Sequence, residues 1–284
     1  MDSSEIVSVV ITTYNRSDAL LAVLRGLARQ TDPHFEVIVA DDGSREEHRR
    51  QILESSVAKT LGIVHLWHPD VGFTASRIRN RGVAAATTRY IIFLDGDCVP
   101  ELDFVARHKA LARSACFVNG SRILLSQKLT QRVLCGDEHI FGRSLMYWLR
   151  QRSLGHANKL TGLLRLPGGG WRIKREFSRK GIRSCNMAVW REDFERVDGF
   201  DESFVGWGHE DADFVLRLHH SGVRRINGFG ATEVFHLWHR PASRDMESHN
   251  AIIVTARAKT SVTQAALGYS RHPDNDDVVI TRVG

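Results

Sequence analysis

Ile6-Val7-Ser8-Val9-Val10-Ile11-Thr12-Thr13 leads through Tyr14-Asn15-Arg16-Ser17-Asp18 to leucines at 20, 21, 24 and 27, and the fold turns on this stretch. A β-branched run of this kind suits a strand buried on both faces, and the leucines after Ser17-Asp18 recur at helical spacing. The alternation continues outward. Phe35 to Ala40 predicts a strand, Glu46 to Glu54 a polar helix, Ile63 to Trp67 a strand, Thr74 to Ala86 a helix and Tyr90 to Leu94 a strand. Repeated βα steps within 95 residues predict an α/β fold: an open, mostly parallel, Rossmann-like central sheet with helices on both faces.

The 284 residues are 42% hydrophobic and 25% charged, which excludes wholesale disorder and fibrous repeats. No apolar run approaches the roughly 20 residues of a membrane-spanning helix. The acidic start Met1-Asp2-Ser3-Ser4-Glu5 lacks the pattern of a secretory signal, so a cytoplasmic location is expected. Cys98, Cys116, Cys135 and Cys185 form no CxxC pair and are expected as reduced thiols. The net charge of +6 is concentrated: residues 141–183 hold eleven Lys or Arg and the single acid Glu176, so the rest of the chain is net negative by four. Three regions are expected: 1–120, 121–240 and, as a peripheral polar tail, 241–284. A short β pair is expected over Val223 to Phe229 and Thr232 to Leu237.

Open parallel sheets bind ligands beyond the carboxyl ends of their strands. There stand Thr12-Thr13-Tyr14-Asn15-Arg16, Asp41-Asp42-Gly43-Ser44 and Asp95-Gly96-Asp97. No G-x-G-x-x-G follows the first strand and no P-loop occurs, so a nucleotide would be held in another way. Asp95-Gly96-Asp97 reads either as an acidic turn or as carboxylates for a hard divalent cation, with Gly96 letting a ligand approach the backbone. Gly206-Trp207-Gly208-His209-Glu210-Asp211-Ala212-Asp213 puts three carboxylates into the first turn of a helix, where capping alone explains one or two. Glu210 and Asp211 read also as general bases on a hydroxyl, although a helix N-terminus is expected to keep a carboxylate ionised and weak as a base. Trp207, flanked by glycines, suits either burial or stacking on a sugar ring. His236-Leu237-Trp238-His239 ends the last predicted strand. Residues three apart on a strand face opposite ways, so at most one of these histidines is expected beside Asp97. An imidazole added to carboxylates would favour Mn²⁺ over Mg²⁺.

Together these residues resemble the inverting family 2 glycosyltransferases of GT-A fold. The second half resembles the galactosyl and N-acetylhexosaminyl transferase module of chondroitin-polymerase-like and β-1,4-galactosyltransferase-like enzymes. The resemblance spans about residues 5 to 240 and implies that 1–120 is a nucleotide-sugar-binding half and 121–240 an acceptor-binding and catalytic half. It is carried by the ordered motifs Val9 to Arg16, Asp41 to Ser44, Arg79-Asn80-Arg81-Gly82, Leu94 to Asp97, Asn186-Met187, Gly199-Phe200-Asp201-Glu202 and Gly206 to Asp211. It implies a UDP-sugar donor bound by Thr12, Tyr14, Asn15, Arg16, Asp42, Arg79, Asp95, Gly96 and Trp207, with Asp42 accepting from uracil and Arg79 near the diphosphate. It implies a manganese ion, with magnesium as the substitute, on Asp97 and on His236 or His239. Asp211 would be the catalytic base, and Glu210 would hold donor sugar or acceptor. His209 departs from the glycine common in this motif. The implied acceptor is a hydroxyl of a glycan or lipid-linked saccharide in bacterial surface polysaccharide synthesis.

Leu145, Trp148, Leu149, Leu160, Leu163 and Leu164 mix with the cations of 141–183, a pattern for contact with an anionic membrane or for an acceptor lid. A basic nucleic-acid-binding module and a non-catalytic nucleotide-sugar binder are the competing classes. The first lacks a recognised motif and has an acidic sheet edge that repels phosphate, so no nucleic-acid partner is expected. Against the second stand the intact Asp97, Glu210 and Asp211.

Overall fold

In the computed structural model of the chain, residues 1–2, 4–160, 164–204, 206–240, 245–271 and 278–284 are described. The opening run forms β1 (Val7–Thr13), and the leucine face follows as α1 (Ser17–Leu27). Next come β2 (Phe35–Asp41), α2 (Glu46–Glu54), α3 (Ser56–Leu61), β3 (Val64–Trp67), α4 (Ala75–Ala85) and β4 (Tyr90–Asp95). Then follow β5 (Cys98–Pro100), α5 (Phe104–Leu111), β6 (Cys116–Asn119), β7 (Ser121–Leu124), α6 (Gln127–Leu134) and α7 (Leu145–Ser153). The remainder holds β8 (Ile173–Lys174), β9 (Asn186–Trp190), α8 (Arg191–Arg196), α9 (Glu210–His220), β10 (Arg224–Asn227), β11 (Glu233–His236), α10 (Glu247–Arg257) and β12 (Val279–Arg282).

Nine strands make the main sheet in the order β12-β3-β2-β1-β4-β9-β6-β10-β8. The block β3-β2-β1-β4 is parallel throughout. β9 runs antiparallel to both β4 and β6, so β6 and β10 again share the direction of β1, and six of the nine strands are parallel. The β-branched strands alternate their side chains between two apolar layers. Val7, Val9 and Ile11 pack with α1, while Val10 packs with Ile78 and Val83 of α4 on the other face. Gly82 permits that approach, since a Cβ there would stand 2.5 Å from Val10 Cγ1.

The expected β pair is corrected. Both strands form, but β10 joins the main sheet beside β6 and β8, whereas β11 lies between β5 and β7 in a separate three-stranded sheet. Ala231 and Thr232 N–H groups close a turn on Gly228 carbonyl, sending the chain away rather than back along β10. The polar tail is also more structured than its composition suggests. α10 packs on α9, where Arg257 donates to Asp201 at 2.8 Å and to Asp213 at 2.7 Å, and β12 extends the sheet beside β3.

Within 141–183, Trp148 is buried and stacks on Phe235 at 4.4 Å, and Leu160 packs against the core. Leu145, Leu149 and Leu164 are exposed, and Leu163 lies outside the described residues. Arg172 is buried and donates to the carbonyls of Leu166, Pro167, Asn227 and Phe229, so its charge serves the fold. None of the described helices is long and apolar enough to cross a membrane.

Candidate active site

A cavity of about 1040 Å³ opens at the carboxyl ends of β1, β2 and β4. Thr12, Tyr14, Arg16, Asp42, Arg79 and Asp95 line it. So do Gly96, Asp97, His236, His239, Trp207, Glu210 and Asp211. Of the candidates read from sequence, Asn15 stands apart. Its N–H donates to Ser44 Oγ at 2.8 Å and its Oδ1 accepts from Arg45 N–H at 2.8 Å, so it ties the loop after β1 to the loop after β2.

Asp42 is fixed by three groups. Its oxygens accept from Thr74 N–H (3.0 Å) and Thr74 hydroxyl (2.5 Å), and His68 Nε2 lies 3.2 Å away. An ionised carboxylate offers about four acceptor positions, so a further donor can be received. Tyr14 is half exposed and donates to Asp70 at 2.7 Å.

Gly96 has a reason not evident in sequence. Its N–H donates to Thr12 carbonyl at 2.8 Å, and a Cβ would stand 3.0 Å from that oxygen, so the end of β1 demands the close approach. Arg79, for which the resemblance implies a place near the diphosphate, lines the cavity. It is buried and reaches Asp95 Oδ1 and Glu210 Oε1, each at 3.3 Å, bridging the two acidic clusters. The rest of its motif is structural: Asn80 receives Phe200 N–H and donates to Phe200 carbonyl and Glu202.

The histidine expectation is corrected as well. His236 Nε2 lies 3.7 Å from Asp97 Oδ1 and His239 Nε2 lies 3.3 Å from Oδ2, so both join Asp97. β11 ends at His236, and strand alternation therefore does not govern residues 237–239. Burial, with help from the nearby Arg122 charge, pushes His236 down to about 4, leaving a neutral imidazole with a free lone pair. Burial raises Asp95 and Asp97, opposed by Arg79 at the first and by His239 at the second. Ligand atoms of Asp97, Cys98 and His236 fall within 4.8 Å of one another. A desolvated carboxylate beside imidazole nitrogens fits a divalent cation of borderline hardness.

The start of α9 also lines the cavity. Gly206 and Gly208 have φ of +73° and +111°, which lets Trp207 project into the cavity, 38% exposed. His209 is itself left-handed at φ +71°, the conformation that favours glycine. Asp213 is fully buried against Arg217 and Arg257 and belongs to the core. Asp211 contradicts the expectation of a weak base. Burial, then the charge of Glu210, pushes its carboxyl up to about 7, against the opposing pull of Arg79 and of N–H donors, so desolvation outweighs the helix terminus.

Arg122, Arg183, Ser184, Cys185 and Trp238 also line the cavity, and sequence reasoning missed them. β9 is antiparallel to β4, so its beginning, not its end, reaches the functional edge. Ser184 N–H thereby meets Asp211 Oδ2 at 3.4 Å. The signal available was the strand-like run from Ser184, but its direction was not legible.

The family model described as glycosyl transferase family 2 matches residues 8–179, and that described as the N-terminal domain of galactosyltransferase matches 171–240. Chondroitin synthase of Escherichia coli is 30% identical over 245 residues, covering 78% of this chain and 33% of the relative. Validoxylamine A glucosyltransferase of Streptomyces hygroscopicus subsp. jinggangensis is 31% identical over 226 residues, covering 77% and 52%. The chain thus spans a third to a half of the length of these curated relatives. Among solved structures, the mannosyltransferase PcManGT of Pyrobaculum calidifontis, in complex with GDP-Man and Mn²⁺, shares the fold at a TM-score of 0.51 and 19% identity, covering 89% of this chain and 61% of that one.

Proposed function

This chain belongs to glycosyl transferase family 2, and on that premise we propose that it moves a hexose or N-acetylhexosamine from a UDP-sugar to a hydroxyl of a glycan or lipid-linked acceptor, with inversion, in bacterial surface polysaccharide synthesis. The observation that carries the reading is that one cavity is lined both by Asp97 with two imidazoles beside it and by Asp211, held near 7.

Asp97, His236 and His239 would hold the divalent cation, manganese by their donor set. That ion is present in the related mannosyltransferase structure. When bound, such a cation supplies Lewis-acid stabilisation of charge on the diphosphate. Thr12, Tyr14 and Asp42 form the nucleoside side of the cavity. Asp211 accepts the proton of the acceptor hydroxyl while that oxygen bonds to the anomeric carbon. The bond from that carbon to the diphosphate oxygen breaks and its electron pair leaves with the diphosphate. A carboxylate near 7 takes a proton more readily than an ordinary one yet is substantially ionised at neutral pH. Arg79 holds Glu210 and Asp95 in place through its two hydrogen bonds. Release of UDP from a panel of UDP-sugars, with manganese present or chelated, tests the reading; no release from any donor removes it.

Peripheral contact with an anionic membrane through 141–183 is supported by α7 and the residue after it. Leu145, Met146, Leu149 and Leu154 are exposed there beside Arg150 and Arg152, while Trp148 anchors the helix to β11.

A further inference from the structure

The cavity does not end at Asp211. Arg179 lines both it and a second cavity of about 360 Å³ against α10, whose wall also includes Ile252, Thr255 and Lys259. The main cavity already stands at the upper end of the roughly 300–1000 Å³ that encloses a small ligand, so the space beyond Arg179 exceeds what a nucleotide sugar needs.

Apart from Asp211 and Glu247, the described charges along this extension are positive. Arg183 lines the main cavity one residue before Ser184, whose N–H meets Asp211. Its side chain is exposed and makes no hydrogen bond or ion pair among the described residues, and the same holds for Lys259. Among the described residues, Arg179 donates only to the neutral hydroxyl of Thr255, at 3.2 Å, and no carboxylate lines the second cavity. In the main cavity, Glu247 at the start of α10 is the acid that α10 contributes. Unpaired cations along a groove concentrate anions, and the guanidinium fork matches carboxylate and phosphate oxygens. Trp207 and Trp238, 38% and 41% exposed, also line the main cavity, and their faces suit pyranose rings.

We infer that the path from Asp211 past Arg183 and Arg179 to Lys259 is an acceptor groove for an extended anionic glycan, one that carries carboxylate or phosphate groups behind its terminal sugar. The inference rests on the reading of Asp211 as the base at the acceptor hydroxyl.

The test is calorimetric titration of the full chain, at low and at physiological salt, with four hexamers: oligogalacturonate, oligo(glycerol phosphate), neutral maltohexaose and (dT)6. At least one of the first two is expected to bind ten-fold or more tightly than maltohexaose, with the advantage shrinking as salt rises. The tighter of the two distinguishes carboxylate from phosphate. Arg179→Gln with Arg183→Gln is expected to remove about ten-fold of that advantage, and Lys259→Gln, on a different element, part of it. Thermal melting verifies that each variant is folded. Equal affinity for maltohexaose, anionic affinity unchanged in the folded variants, or (dT)6 binding as tightly as the anionic glycans would overturn the inference. UDP binding by the wild-type chain with manganese reports on the donor reading separately, so a chain that binds UDP yet shows no anionic preference loses only this groove.

Discussion

Arg79 Nη1 lies 3.3 Å from Glu210 Oε1, joining residues 131 positions apart and coupling the sheet edge to the N-terminus of α9. The same guanidinium holds Asp95, and both contacts are largely removed from water at the arginine. Arg79→Met is therefore expected to leave buried carboxylates without compensation and to cost roughly 3 kcal/mol of stability, as breaking buried pairs does. Thermal denaturation measures this, and an unchanged melting temperature contradicts it.

Asp211→Asn removes the proton acceptor but keeps the shape of the site. Transfer is expected to fall about 10³-fold, within the range for general base loss, while UDP affinity in the presence of manganese stays as in the wild type. Glycosyl transfer assays paired with calorimetry separate the two. Retained turnover removes Asp211 from the role.

The acid limb of the pH profile follows from the same carboxyl. Asp211 must be unprotonated to act, and its value is pushed up to about 7, so kcat/KM is expected to rise with pH through that region rather than near 4. Arg79 opposes the upward shift. A folded Arg79→Met variant is therefore expected to move the limb to higher pH.

Asp97→Asn and His239→Ala each weaken the cation site. Manganese-dependent UDP binding is expected to drop at least ten-fold in both, and chelation to do the same to the wild type. His236→Ala is expected to have a comparable effect, because both imidazoles face Asp97. Loss confined to one histidine would identify the other as a bystander.

His209→Gly relieves a left-handed residue at the entrance to α9. A gain of about 1 kcal/mol is expected, visible as a higher melting temperature. Gly206→Ala acts in the opposite sense, since its Cβ would meet Met246 at 2.9 Å in a positive-φ position. For the membrane contact, Leu145→Glu with Met146→Glu is expected to abolish flotation with anionic liposomes at low salt.

Much of the candidate site was legible because its residues sit in short motifs after recognisable strands. Thr12, Asp42, Asp95 and Asp97 follow β-branched or apolar runs whose ends are visible in the sequence. The duties of motif residues were less legible. Asn80, Asp201 and Asp213 look like site polar groups but satisfy buried backbone or arginine partners. A polar side chain in a motif carries no mark of whether its partner is a ligand or the fold itself.

By itself the sequence determined the parallel block β3-β2-β1-β4, its two apolar faces and the edge at which acids collect, since strand periodicity and β-branching act locally. Tertiary structure alone decided that β9 runs backward and delivers Arg183 and Ser184 to that edge, that both histidines meet at Asp97, and that Asp211 is raised to about 7. The physical reason is that strand direction and desolvation arise from contacts between residues far apart in the chain, whereas hydrophobic pattern is a property of neighbours.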